Sequence, residues 1–131
     1  MQKISETRRK INDFYAQTGK YSPDAYEFVT ACVIDQVRRM DNPRHLSARE
    51  VLDGIVKSLP KEFGAVAFLV LEQWKIANAS DIGEIVFDLI ELGILSASAE
   101  DRRSDFNIDY PLYHPLRRKI NLSALEMPKI D

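Results

Sequence analysis

Apolar residues recur at spacings of three and four along most of this chain, and the rhythm predicts helices. The first covers Gln2 to Gln17, marked by Ile4, Ile11, Phe14 and Tyr15, with Arg8-Arg9-Lys10 facing water and Gly19 as the stop. The second opens at Ser22, whose hydroxyl suits a cap. Pro23 fits the first helical position, and Asp24 suits the positive end of the helix dipole. Its stripe is Tyr26, Val29, Val33, Val37 and Met40, widened by Phe28 and Cys32, and Asp41-Asn42-Pro43 ends it. The third opens with a capping box, Ser47-Ala48-Arg49-Glu50, and buries Val51, Leu52, Ile55, Val56 and Leu59. Gly54 weakens that helix by up to ~1 kcal/mol relative to alanine, which points to a close crossing by another helix. Pro60 is read as the start of a fourth, central helix over three turns, with Phe63, Val66, Ala67, Val70, Leu71 and Trp74 inward. The fifth begins near Ser80-Asp81, turns Ile82, Ile85, Val86, Leu89 and Leu92 inward, and stops at Gly93, with Ile94 and Leu95 closing over its end.

Beyond Gly93 the pattern changes. Ser98 with Asp101 is read as the start of one more short helical turn, and after Asp105 the helical period is lost. Phe106, Ile108, Tyr110, Leu112 and Leu116 then alternate roughly by two, with Pro111 and Pro115 interposed. That predicts an extended arm or a short edge strand. The expected fold is mainly α: a compact single-domain bundle of about five helices, residues 1–109, with a C-terminal extended arm or short β segment, residues 110–131. The order of capped helices followed by an extended segment is also winged-helix-like.

Length and composition agree with one globular unit. The chain has 131 residues, 45% apolar and 29% charged, with a net charge of −2. That excludes general disorder and a strongly basic nucleic-acid coat. One cysteine excludes an internal disulfide framework, and no apolar run reaches the length of a membrane span. No apolar signal core follows the first charges, so a cytoplasmic protein is expected. Charge is unevenly spread. Residues 61–101 carry two basic and eight acidic groups, while residues 1–44 and 102–131 are each mildly basic.

Five motifs taken in order resemble a known family. They are Tyr21-Ser22-Pro23-Asp24-Ala25-Tyr26-Glu27-Phe28-Val29, Pro43-Arg44-His45-Leu46-Ser47-Ala48-Arg49-Glu50-Val51-Leu52-Asp53-Gly54-Ile55, Phe63-Gly64 with Leu71-Glu72-Gln73-Trp74, Asp81-Ile82-Gly83-Glu84-Ile85-Val86-Phe87-Asp88-Leu89-Ile90, and Glu100-Asp101-Arg102-Arg103-Ser104-Asp105-Phe106. Over roughly residues 10–110 this string is similar to a family of short bacterial conserved-hypothetical proteins known from planctomycetes and verrucomicrobia. The resemblance implies a bacterial origin and a single compact unit. That family has no assigned activity, so the resemblance brings no catalytic or binding residue, and the tail from Tyr110 onward departs from its pattern.

Chemistry-bearing residues are few. His45, His114 and Cys32 show no metal-ligand spacing, so neither a metal nor a cofactor is expected. Cys32 lies mid-helix among apolar residues, where a thiol acts as a small hydrophobe rather than a nucleophile. No phosphate loop, nucleophile elbow or dinucleotide fingerprint occurs. The expectation is a non-enzyme. Asp81, Glu84, Asp88 and Glu91 share one stripe of the fifth helix, read as a solvated face or an acidic docking face. Arg38, Arg39, Arg44, Arg117, Arg118 and Lys119 form a candidate basic surface. The leading reading is a small protein-interaction module, expected to form a homodimer through its C-terminal arm. Nucleic-acid binding is the alternative, disfavoured because the fifth helix would present four carboxylates to phosphates.

Overall fold

The computed structural model describes residues 5–96 and 101–112. Five helices follow one another: α1 (Glu6–Thr18), α2 (Pro23–Arg38), α3 (Ala48–Phe63), α4 (Ala67–Gln73) and α5 (Ala79–Glu91). A 3-10 turn, Gly64–Val66, joins α3 to α4, and a second, Arg103–Phe106, follows α5. The protein is mainly helical. Among the described residues there is no strand, so the winged-helix-like arrangement is not formed there. No helix among them is long and apolar enough to cross a membrane.

The helix starts are local chemistry. Ser5, Ser22, Ser47 and Asn78 each accept a backbone N–H of the turn that follows, which satisfies one of the orphan donors at a helix start. The Ser47–Glu50 capping box is formed in both directions, and a second joins Asn78 to Asp81. Gly19 ends α1 in the left-handed region at φ 60°.

The fourth helix differs from its expectation. Pro60 lies inside α3, and the chain breaks four residues later at Gly64, whose φ of 61° and ψ of −142° suit glycine alone. α4 is left with seven residues rather than three turns. Val66 stands half exposed instead of inward, because the 3-10 turn rotates the chain before α4 begins. The aromatic residues there still pack: Phe28, Phe63 and Trp74 meet pairwise with ring centroids 5.5–5.6 Å apart.

α5 is the centre of the core. Ile82, Ile85 and Leu89 are fully buried, packed with Ile11, Tyr26, Leu52, Leu59 and Leu71 from the other helices. Two glycines let neighbours approach. A Cβ on Gly54 would overlap the amide end of the Gln36 side chain of α2, so what Gly54 admits is that side chain rather than a helix backbone. A Cβ on Gly83 would lie 2.5 Å from Phe106 Cβ, so glycine is what lets the second 3-10 turn rest on α5. The described start of the C-terminal arm lies on the bundle: the Tyr110 hydroxyl donates to Asp53 of α3, and Leu112 is buried. The rest of the expected arm lies outside the described residues.

Candidate functional site

The acidic stripe of α5 is engaged by partners from its own chain: Asp88 is buried, while Glu84 and Glu91 are ion-paired with 42% and 67% of their side chains still exposed. Asp81 turns back to its own helix start, where its Oδ2 accepts from the backbone N–H of Ala77 and Asn78, and its Oδ1 accepts from the Tyr21 hydroxyl at 2.7 Å. Asp88 is buried. It accepts from the Tyr26 hydroxyl at 2.7 Å and from Lys20 Nζ at 2.9 Å, and Arg103 Nη2 lies 3.5 Å away. Glu84 bridges Lys20 and Arg103, and Glu91 pairs with Arg103 at 2.8 Å. The stripe is thus engaged by the α1–α2 loop, by α2 and by the 3-10 turn 103–106. A carboxylate as deep as Asp88 needs these partners, since burying an unpaired charge is costly.

The same network governs protonation. Burial, then the hydrogen bonds to Asp81 and Asp88, push the phenols of Tyr21 and Tyr26 well above the usual tyrosine range. Burial opposes the charges on Lys20 and Arg103, yet the facing carboxylates outweigh it and raise both.

Of the described candidate basic residues, Arg38 and Arg44 share one concave surface and Arg39 does not line it. Arg39 pairs with Asp35 on its own helix, and Arg44 grips Glu50 through two nitrogens at 2.7 and 2.9 Å. Arg44 and the Ser47 backbone hold the Glu50 carboxyl down to about 2. Arg38 makes no ion pair among the described residues. Arg117, Arg118 and Lys119, like His114, lie outside the described residues. Cys32 is buried in α2, and burial pushes its thiol up to about 11 against the pull of a hydrogen bond from Ser58, so it is a poor nucleophile. Among the described residues no group of three or more His, Cys, Asp or Glu is placed to hold a metal ion.

A different feature has the form of a binding site. Between α2 and α5 lies a groove of about 530 Å³. α2 contributes Val33, Ile34 and Val37; α5 contributes Val86, Phe87 and Ile90. Leu46 and Val51 close one side, and Ile94, Leu95 and Phe106 the other. Val33 and Val37, expected in the core, are half-buried and form its floor. Arg38, Arg44, His45, Asp101 and Asp105 supply polar groups to its lining. The Arg103–Phe106 turn is the hinge between the two features: Phe106 packs edge-on to Phe87 in the groove, while Arg103 lies over the Phe87 ring and reaches the stripe.

Sequence reasoning missed the groove. The available signal was the pair Phe87 and Ile90, apolar yet off the inward stripe of the fifth helix, opposite an apolar α2 flank at Ile34. Comparison with family models, with curated protein sequences and with solved structures finds no match to this chain.

Proposed function

We propose that this protein is a non-catalytic interaction module that takes a segment of a protein partner into the groove between α2 and α5. The groove itself carries the reading. It is a concave, mostly aliphatic surface with charged groups in its lining, and its volume lies within the ~300–1,000 Å³ of ordinary ligand sites. Apolar surface rimmed by polar groups marks interaction sites. Ile34, 37% exposed at the edge of the groove, is apolar surface that folding alone leaves in water. The self-association expected from the sequence is one form of this reading, with the partner segment drawn from a second copy.

A displayed peptide library panned on the protein tests it. Enriched peptides should bind the wild type and lose at least ~10-fold in affinity for Ile34→Asp, about 1.4 kcal/mol. Ile34 is partly exposed, so that variant keeps its fold, which its thermal unfolding checks. Failure to enrich, or peptides indifferent to Ile34→Asp, would overturn the reading.

A further inference from the structure

This inference rests on the groove reading and concerns what sets the groove's affinity. Phe87 and Phe106 both line the groove, edge-on to each other with ring centroids 6.4 Å apart. Arg103 lies outside that lining, yet its guanidinium carbon is 5.6 Å from the centre of the Phe87 ring. A cation over an aromatic face is attracted to it. Phe87 thus meets Arg103 through one contact and Phe106 through another, and both come from the same four-residue turn.

The turn is tied together by its own backbone. Asp105 N–H donates to Arg102 C=O and Asn107 N–H to Ser104 C=O, each at 3.0 Å. Two side chains anchor it to α5. Phe106 is buried against Gly83. Arg103 reaches Glu91 at 2.8 Å, Glu84 at 2.9 Å and Asp88 at 3.5 Å. The Glu84 and Glu91 side chains are 42% and 67% exposed, so dissolved ions reach those pairs and screen them. The apolar anchor is indifferent to dilute salt, and the ionic anchor responds to it.

We propose that Arg103 is the positioning residue of the groove. By clamping the 103–106 turn to the α5 carboxylates, it holds Phe87 and Phe106 in the arrangement a guest meets. Ionic strength then regulates affinity through the clamp, because a site formed for part of the time binds in proportion to that part.

The test uses the full chain and N-phenyl-1-naphthylamine, an uncharged apolar dye that fluoresces on burial. Ile34→Asp should weaken its binding, which places the dye in the groove. The wild-type Kd should rise ~3-fold between ~50 and ~500 mM sodium chloride as the clamp is screened. Arg103→Met should bind at least ~5-fold more weakly at the lower salt and show no such rise. Glu91→Gln removes one pair from an exposed side chain outside the groove, so it keeps its fold and should weaken binding by ~2-fold. Amide exchange at Asn107 should quicken in the same order, wild type, Glu91→Gln, Arg103→Met. Dye that senses Ile34→Asp but binds wild type and Arg103→Met alike overturns the clamp and leaves the groove reading standing. Salt weakening that persists in Arg103→Met overturns it too. Dye binding that is absent, or that ignores Ile34→Asp, overturns this inference alone; library-selected peptides that ignore Ile34→Asp overturn both.

Discussion

The Tyr26 hydroxyl donates to Asp88 at 2.7 Å, and both residues are almost completely out of water. This bond joins α2 to α5 at the middle of the molecule and fixes one oxygen of the carboxylate that Lys20 and Arg103 neutralise from the outside. Removing the charge takes away the buried carboxylate that both cations share and leaves Glu84 alone to bridge them. Asp88→Asn should cost roughly 3 kcal/mol, at the low end for breaking a buried pair, because Lys20 and Arg103 are partly exposed and can recover water. Chemical denaturation measures it. A loss below ~1 kcal/mol would mean the network is a bystander.

The two buried phenols make an alkaline prediction. Their folded pKa values lie above the unfolded value near 10. The stability they contribute is therefore fully present below pH 10 and is lost as pH rises above it. In a 295 nm titration Tyr21 and Tyr26 should stay un-ionised at pH 11 and appear only with unfolding. Tyr110, raised to about 12 by burial and Asp53, should ionise before them. Ionisation of Tyr21 and Tyr26 by pH 11 without loss of helical circular dichroism would contradict this.

Glu50 gives the acid counterpart. Its folded value of about 2 is depressed from 4.5, so its contribution is present above pH 4.5 and is lost as pH falls toward 2. The pair with Arg44 is exposed and screened by water and salt, so the effect on global stability is small. Amide exchange at the start of α3 should quicken across that window in wild type and show no such step in Glu50→Gln.

Lys75 is the one described non-glycine residue in the left-handed region, at φ 65°, where the chain leaves α4 and Ile76 N–H returns to Leu71 C=O at 2.9 Å. Its side chain is exposed. Lys75→Gly should therefore stabilise the protein by about 1 kcal/mol, raising Tm by ~4 °C. An unchanged or lower Tm would show that the lysine side chain compensates for its backbone.

The legible parts of the fold were those written within a few neighbouring residues. Ser22-Pro23, Ser47 with Glu50, and Gly19 announce helix ends by local hydrogen bonding, and the structure places them so. Pro60 misled because proline resembles a helix start, while the break belonged to Gly64, whose need for positive φ has no local marker other than its lack of a side chain. The α5 carboxylates were correctly placed on one stripe, but their partners Lys20, Tyr21 and Tyr26 lie more than 55 positions away in sequence. Periodicity reports which face a residue is on, not what arrives to cover it. The groove was hidden for the same reason, since it exists only where α2, α5 and the turn at Phe106 come together.

That turn gives the molecule a linkage between charge and shape. Residues 103–106 supply Arg103 to the network on one side and Asp105 and Phe106 to the groove on the other, seated on Gly83. If the groove takes a partner segment as proposed, a guest that displaced the turn would also draw Arg103 away from Glu84, Asp88 and Glu91. Size selection in the groove would then be set against the strength of an ion cluster beside the same helix.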